Sequence, residues 1–203
     1  MTSNDSAPDR VEPATLDHLE AVVEVLTDAF VDDPIMAWAF ERSVRPRRLA
    51  ALWTFMAGAG YLPRGRSALA GSAGAALWLG PGEELSEAFW EARGADFATA
   101  VEGDVERLGA LGQEMGARHP SVEHWYLLAI GCRPAAQGRG VGSALLEHTL
   151  AHVDEGGHAA YLEATTPRSR ALYERFGFVV TAEFSAADSP PLWGMWREPR
   201  SVR

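Results

Sequence analysis

Apolar positions along the chain follow two spacings, and each spacing predicts a different kind of element. Over residues 15–30 the apolar residues recur every three or four positions, which is typical of an amphipathic helix. Asp33 followed by Pro34 predicts the start of a second helix, because aspartate favours the N-cap and proline the first helical position. A third helix is expected over residues 46–58, and helical spacing returns over residues 83–118 as one long helix or two.

Short apolar runs predict the strands. The sequence WYLLAIGC at residues 125–132 is almost unbroken in its apolar character, which is typical of a strand buried on both faces. A second buried strand is predicted at residues 159–164 and carries Glu163 near its end. Each of these two strands is followed by a predicted helix, over residues 142–154 and 166–176. The remaining expected strands cover residues 10–13, 67–71, 74–80, 178–185 and 191–198.

The size and charge of the chain narrow the function classes. With 203 residues, 47% of them hydrophobic, one domain with a sizeable core is expected over residues 10–200, after a disordered tail at residues 1–9. The net charge of −10 makes nonspecific nucleic-acid binding a poor prediction, because phosphate binding needs clustered positive charge.

Residue usage excludes further classes. All 18 basic residues are arginine, which excludes a phosphate loop that needs lysine and a Schiff-base lysine. One cysteine, Cys132, excludes an intramolecular disulfide. The first residues lack the pattern of a signal peptide, and the longest uncharged stretches are short and broken by glycine or proline. A cytoplasmic protein without a membrane segment is therefore expected.

The strongest motif is the glycine-rich segment from Gln137 to Gly142, between a predicted buried strand and a predicted helix. A helix N-terminus offers unpaired N–H groups, and glycines let an anion approach them, so the segment predicts a phosphate or pyrophosphate site. A plain turn that packs a helix on a sheet is the simpler alternative. A dinucleotide fingerprint nearly fits through Gly138, Gly140, Ser143 and Glu163, but only 40 residues follow Glu163, too few for the further strand–helix units.

These motifs resemble those of a known family. Gln137-x-x-Gly140-x-Gly142 resembles the acetyl-CoA pyrophosphate loop of the GNAT acetyltransferase superfamily, and ALYERFGF at residues 171–178 resembles its later helix-and-strand signature. Residues 124–199 resemble the puromycin N-acetyltransferase branch more closely, through HWYLLAIGCRPAAQGRGVGSALL, YLEATTPRSRALYERFGF and PLWGMWREP.

The resemblance implies an α/β (α+β) GNAT-type single domain. Its mixed, mostly antiparallel sheet would splay between two parallel strands and be flanked by helices, with acceptor-side helices and first strands at 10–120 and an acetyl-CoA-binding core at 121–200. Thr166 stands where members of the superfamily commonly have asparagine. The residues that the resemblance places against acetyl-CoA are Ile130, Gly131, Cys132, Gln137, Gly138, Arg139, Gly140, Val141, Gly142, Ser143, Thr166 and Ser169.

The resemblance also implies an N-acetyltransferase in which the primary amine of a small molecule attacks the thioester directly. Glu163 is the expected base, since burial at a strand end raises a carboxyl pKa, and Tyr173 matches the general acid. Simpler roles are an arginine partner for Glu163 and a core position for Tyr173. The expected acceptor-side residues are Asp32, Asp33, Trp38 and Trp193, for which helix capping and core packing are the alternatives.

Several alternatives stay open at this point. An acyl-CoA-binding sensor or an inactive module with the same fold would carry the same motifs. His148 and His152 have a spacing that can hold zinc, yet they face away from the apolar stripe of their helix, so no metal is expected. Glu123 and His124 are candidates for a water path. The acceptor amine is not identified, and homodimers are common in the superfamily although no interface is evident.

Overall fold

The computed structural model of the chain describes residues 10–102 and 104–200, so the tail expected at residues 1–9 lies outside the described residues. The helices are α1 (Leu19–Phe30), α2 (Pro34–Ala39), α3 (Arg45–Phe55), α4 (Glu87–Val101), α5 (Val105–Arg118), α6 (Val141–Glu155) and α7 (Pro167–Arg175). The strands are β1 (Val11–Pro13), β2 (Ala68–Ala70), β3 (Gly74–Leu79), β4 (His124–Cys132), β5 (Ala159–Ala164), β6 (Val179–Phe184) and β7 (Leu192–Arg197). Among the described residues, no helix combines the length and the apolar character needed to cross a membrane.

The strands form a single seven-stranded sheet in the order β1-β2-β3-β4-β5-β7-β6. All neighbouring strands are antiparallel except β4 and β5, which are parallel. The prediction of a mostly antiparallel mixed sheet with two parallel strands at its centre is therefore confirmed. The boundary between β4 and β5 divides the sheet into an N-terminal half, β1 to β4, and a C-terminal half, β5 to β7.

The two parallel strands pair over only four residues each before they separate. Residues 124–127 of β4 pair with residues 159–162 of β5. Just beyond this point β4 carries a bulge, because Leu77 pairs with Ala129 while the next residue of β3 pairs with Leu127, which leaves Leu128 as the extra residue. A bulge bends its strand and increases the local twist. Residues 128–132 of β4 therefore have no ladder partner on the β5 side. Glu163 directly follows the last residue of β5 that pairs with β4.

Helices cover both faces of the sheet. Helix α1 packs on β3 and β4 from one side, with α3 against α1 and α4 against α3. On the other side α6 packs on β2, β3 and β4, and its predicted apolar stripe is buried, including Leu145, Leu146 and Val153. Gly131 is needed where α1 crosses β4, because a Cβ there would lie 2.6 Å from Ala29 Cβ. This contact explains why glycine occupies the position.

One helical boundary differs from the sequence prediction, and the structure decides between the alternatives left open for residues 83–118. The helix expected over residues 46–58 runs from Arg45 to Phe55 and continues as a wider π-helical turn, Met56–Tyr61. The segment 83–118 forms two helices, because α4 ends at Val101 and Glu102 takes a left-handed backbone conformation with φ of 32°. The Glu102 carboxylate is bound there by two arginines of α3, Arg47 at 3.1 Å and Arg48 at 2.6 Å.

A buried ion pair links the end of α6 to β7. The Arg197 guanidinium is 2% exposed and donates to both carboxylate oxygens of Asp154, at 2.7 and 2.6 Å, and to the carbonyl oxygen of Phe176 at 2.9 Å. Burial acts to raise the pKa of Asp154, but the hydrogen bonds from Arg197 and Arg200 outweigh it, so the pKa lies below its usual value. The pair joins three elements in the C-terminal half.

We predict that Asp154→Asn lowers the free energy of unfolding by about 3 kcal/mol, because it leaves the Arg197 charge buried and without a counter-charge. Urea denaturation at neutral pH measures this. The control is Asp96→Asn, which removes an exposed pair with Arg93 and should change the free energy by less than about 1 kcal/mol. Equal effects of the two substitutions contradict the prediction.

Candidate active site

Two cavities open where β4 and β5 separate. The first, here called the groove, has a volume of about 680 Å³ and lies between the unpaired edge of β4, the loop before α6 and the start of α7. The second, the apolar cavity, has a volume of about 620 Å³ and lies between the sheet and helices α3, α4 and α5. The two cavities share the lining residues Phe30, Asp33, Leu128, Glu163 and Thr165. A molecule in each cavity would therefore meet the other at these residues.

The glycine-rich loop forms one end of the groove. Gly138 and Gly140 have φ angles of 76° and 85°, which disfavour any residue with a side chain, and Gly140 is the N-cap of α6. No described atom lies within 4 Å of where a Cβ would stand on either residue, so the outer side of the loop is open. Gln137 fixes the loop, because its Oε1 accepts from Arg168 at 3.0 Å and its Nε2 donates to the Cys132 carbonyl oxygen at 3.4 Å. This geometry suits an anion on backbone N–H groups.

Most of the residues predicted to contact acetyl-CoA line the groove. They are Ile130, Gly131, Cys132, Gln137, Gly138, Gly140, Val141, Gly142, Ser143, Thr166 and Ser169. Arg139 does not line it. Burial raises the pKa of the Cys132 thiol, which opposes the thiolate form that a nucleophilic cysteine needs. Cys132 is therefore a poor candidate for a nucleophile.

Helix α7 begins at the groove and carries Tyr173 into it. Thr166 is the N-cap: its Oγ1 accepts from the Ser169 N–H at 3.0 Å, while the Ser169 Oγ accepts from the Thr166 N–H at 3.2 Å. Tyr173, one turn further on, is 6% exposed and lines the groove. Burial raises its pKa above the usual value, and the nearby Asp33 carboxylate and Cys132 thiol raise it further. The hydroxyl therefore keeps its proton at neutral pH and can donate it.

Glu163 lies between the cavities, beside two tyrosines. The Tyr126 hydroxyl donates to Glu163 Oε2 at 2.9 Å, and the Tyr161 hydroxyl also interacts with the carboxylate, although neither that hydroxyl nor Oε1 makes a hydrogen bond of full geometry with any described residue. Burial raises the pKa of Glu163 to about 7, although its interactions with Tyr126 and Tyr161 act in the opposite direction. None of the ion pairs that the described residues form includes Glu163, so the alternative of an arginine partner finds no support. A carboxylate with this pKa can accept a proton at neutral pH.

Asp33 caps helix α2, as one of the alternatives expected, and its other carboxylate oxygen faces the cavities. Its Oδ1 accepts from the N–H groups of Ile35 and Met36 at 2.9 and 3.2 Å, which caps α2, and its Oδ2 accepts from the Thr165 hydroxyl at 2.5 Å. Burial raises its pKa despite these bonds. It lines both cavities, whereas Asp32 lines only the groove.

Two tryptophans predicted on the acceptor side line neither cavity. The Trp38 Nε1 donates to Asp188 at 2.8 Å, and the Trp193 Nε1 donates to Glu183 at 3.0 Å. Arg107 and Arg170 lie over their rings at 5.6 and 5.8 Å from the ring centroids. Carboxylates and arginines near the surface thus account for both indoles.

Several residues of the candidate site were not predicted from the sequence. Tyr126, the partner of Glu163, resembled any other residue of a buried strand, and only the parallel register that sets it beside Tyr161 reveals it. His119 lines the apolar cavity 4.8 Å from the His124 ring, and burial lowers its pKa to about 4. His124 is buried, whereas Glu123 is exposed. The wall that α4 and α5 form was also missed, although Gly109, Gly112 and Gly116 recur at helical spacing.

The chain is similar to known proteins in sequence and in fold. The profile of the acetyltransferase (GNAT) family matches residues 75–178. An N-acetyltransferase of Schizosaccharomyces pombe is 26% identical over 193 residues, which are 87% of this chain and 78% of the relative. A solved structure from Corynebacterium glutamicum, described as histone acetyltransferase HPA2 and related acetyltransferase, is similar to this chain. The two sequences are 31% identical and the TM-score is 0.72, over 97% of this chain and 99% of that chain. Arylalkylamine N-acetyltransferase 2 from Aedes aegypti is 15% identical with a TM-score of 0.65, over 94% and 99% of the two chains, and therefore shares the fold.

The family profile covers half of the chain and includes β3 to α7, the segment that builds the groove and holds Glu163 and Tyr173. From the sheet, the groove and this match together we conclude that the chain belongs to the acetyltransferase (GNAT) family.

Proposed function

We propose that the protein transfers the acetyl group of acetyl-CoA to the primary amine of a small molecule, by direct attack within a ternary complex. The observation that carries this proposal is the meeting of two cavities at Glu163, with Tyr173 in the wall of the groove. One cavity suits a phosphate-bearing cosubstrate and the other an organic acceptor. The motifs shared with the puromycin N-acetyltransferase branch, and the amine that the name of the Aedes aegypti enzyme contains, support a small amine as acceptor.

The groove has the features that acetyl-CoA requires. Backbone N–H groups at the start of α6, around Gly140, would hold the pyrophosphate, assisted by the charges of Arg168 and Arg175, which also line the groove. The edge of residues 128–132 that faces β5 has no strand partner, and its backbone would bind the pantetheine amides in the manner of an added strand. Acetyl-CoA supplies a thioester, whose carbonyl carbon bonds to the amine nitrogen while the carbon–sulfur bond breaks.

The residues at the junction account for the proton movements. An alkyl amine with a pKa of about 10 is only about 0.1% neutral at pH 7, so forming the neutral amine requires roughly 4 kcal/mol of free energy. Glu163 accepts the proton that the ammonium group must lose, and Tyr173 donates a proton to the departing thiolate. After the carbon–nitrogen bond has formed, the nitrogen loses a second proton. Solvent carries this proton to the Tyr173 oxygen, which restores the hydroxyl. The products are an amide, a free thiol and one proton released from Glu163 to water.

We predict that Gly140→Ala weakens acetyl-CoA binding at least tenfold, because a side chain at φ 85° strains the loop and covers its open side. The matched control is Gly157→Ala. Gly157 also has a positive φ, 66°, and open space around it, but it lies at the far end of α6 and outside the groove. Isothermal titration measures both affinities. Equal affinities of the two variants contradict the proposed pyrophosphate site.

We predict that kcat/KM rises with pH around a midpoint near 7, because Glu163 must be ionised to accept a proton. Glu163→Gln should lower kcat/KM by about 100-fold or more and abolish this midpoint. A pH–rate profile of thiol release measures both effects. An unchanged midpoint in the variant assigns the titration to another group.

The same substitution has an effect on stability that does not depend on activity. The folded protein holds the Glu163 proton up to pH 7, whereas the unfolded chain loses it near pH 4.5, so rising pH between these values favours unfolding. Glutamine does not titrate. Between pH 4 and pH 8 the free energy of unfolding of Glu163→Gln should therefore rise by up to about 3 kcal/mol relative to that of the native protein. Chemical denaturation at the two pH values measures the change.

We predict that Tyr173→Phe lowers kcat by about 100-fold while the Kd for acetyl-CoA changes by less than about threefold, because the phenyl ring keeps the packing against Phe178 and only the proton donor is lost. Thiol release across a panel of amines gives kcat, and titration gives the Kd. Unchanged kcat excludes Tyr173 as the general acid.

A further inference from the structure

The apolar cavity has a wall chemistry that indicates the class of the acceptor. Its volume of about 620 Å³ falls within the range of about 300–1,000 Å³ that sites for drug-sized molecules occupy. Aromatic side chains form much of the wall, including Phe30, Trp53, Trp90 and Phe97. These rings contact one another, with Phe30 and Trp53 centroids 5.1 Å apart and Trp90 and Phe97 centroids 5.5 Å apart. Such a wall favours an apolar molecule, since burying apolar surface is favourable.

Few charged side chains line the described wall. The acidic residues that line the cavity are Asp33, Glu84 and Glu163. Asp33 and Glu163 belong to the junction with the groove, where the reacting nitrogen must lie, and Glu84 is exposed. A second ammonium group against the aromatic part of the wall would lose its hydration without gaining a carboxylate. The cavity therefore suits one positive charge, located at the reacting end.

Helix α5 contributes space rather than side chains. Gly109, Gly112 and Gly116 follow one another at helical spacing and all line the cavity. No described atom lies within 4 Å of the position that a Cβ would take on any of them. Glycine is the least favourable helix residue after proline, so local helix stability does not explain three glycines on this face. They leave the cavity wide along its α5 wall.

Two buried polar atoms in the same wall lack partners. The Trp53 side chain is 4% exposed, and its Nε1 has no hydrogen-bond partner among the described residues. Glu163 Oε1, at the junction with the groove, also lacks a hydrogen bond of full geometry, although the Tyr161 hydroxyl interacts with this carboxylate. Buried polar atoms are normally satisfied, so a ligand with a polar group would complete the hydrogen bonding of the Trp53 indole, which lines the cavity.

We propose that the acceptor is a primary amine with a single positive charge and a large apolar body, preferably aromatic, that lies against α4 and α5. The proposal rests on the proposed function and names its substrate class. The reacting nitrogen lies at Glu163, and the body extends towards the glycines of α5. The size of the acceptor is then limited by α5, and aliphatic polyamines are poor substrates.

Steady-state kinetics with three amines tests the substrate class. At saturating acetyl-CoA, kcat/KM for 2-phenylethylamine should exceed the values for ethylamine and for 1,4-diaminobutane by about 30-fold or more, which corresponds to the burial of one phenyl ring. If 1,4-diaminobutane is the better substrate, or all three are equal, the proposed class is wrong while the acetyltransferase function stands.

A pair of variants tests the location of the acceptor body. Gly112→Leu should lower kcat/KM for 2-phenylethylamine at least tenfold and leave ethylamine within about threefold, because leucine fills the space along α5. The control is Gly94→Leu, since Gly94 also lies within a helix with open space around it but does not line the cavity. Leucine is the better helix former at both positions, so neither variant should unfold at a lower temperature. Equal kinetics of the two variants contradict the proposal.

Direct binding separates this proposal from the proposed function. If none of the amines is acetylated, 2-phenylethylamine is titrated against the protein in the presence of CoA, in parallel with 1,4-diaminobutane. Tighter binding of 2-phenylethylamine that Gly112→Leu weakens supports the site and counts only against acetyl transfer. Binding that is absent, or equal for the two amines, overturns the site itself.

Discussion

The early separation of the two parallel strands is the constraint on which the site depends. Had β4 and β5 continued to pair, the backbone groups of residues 128–132 would have been satisfied within the sheet and Glu163 would have been enclosed by it. Buried backbone groups are almost always paired, so an unpaired strand edge at the centre of a sheet is a strong requirement for a partner. The bulge at Leu128 bends β4 at this point. One irregularity thus produces the groove, the apolar cavity and the position of the carboxylate between them.

Features encoded by neighbouring residues were predictable, and those that depend on distant contacts were not. The strand at residues 159–164 and the start of α7 at Pro167 agree with the prediction, because a continuous apolar run and a capping residue before proline are local signals. The insertion of β7 between β5 and β6, and the bulge at Leu128, depend on pairing between strands far apart in the chain. Tyr126 was missed for the same reason. Trp38 and Trp193 show the converse, since residue type suggested a cavity, whereas the folded chain sets their indoles against Asp188 and Glu183.

The chain treats two carboxylates, the partly exposed Asp154 and the buried Glu163, in opposite ways. Asp154 receives a bidentate arginine and a backbone N–H, and its pKa falls. Glu163 has only tyrosine hydroxyls beside it, those of Tyr126 and Tyr161, and its pKa rises to about 7. Every basic residue in the chain is arginine or histidine, and arginine remains charged at all accessible pH values. An arginine beside Glu163 would therefore keep it ionised at a low pKa and remove its use as a base. The separation of arginine from this carboxylate is as necessary to the proposed chemistry as the burial.

Glycine serves three unlike purposes near the site, and only the structure distinguishes them. At Gly131 a side chain would collide with Ala29, at Gly140 it would strain a left-handed backbone, and at Gly112 it would meet nothing. The first two positions hold the groove in shape and tolerate little change. The third belongs to a wall that can accept larger residues without contact with the groove. A change in α5 can therefore alter the acceptor while the cosubstrate site stays intact, which gives the fold a physical means of varying its substrates independently of its chemistry.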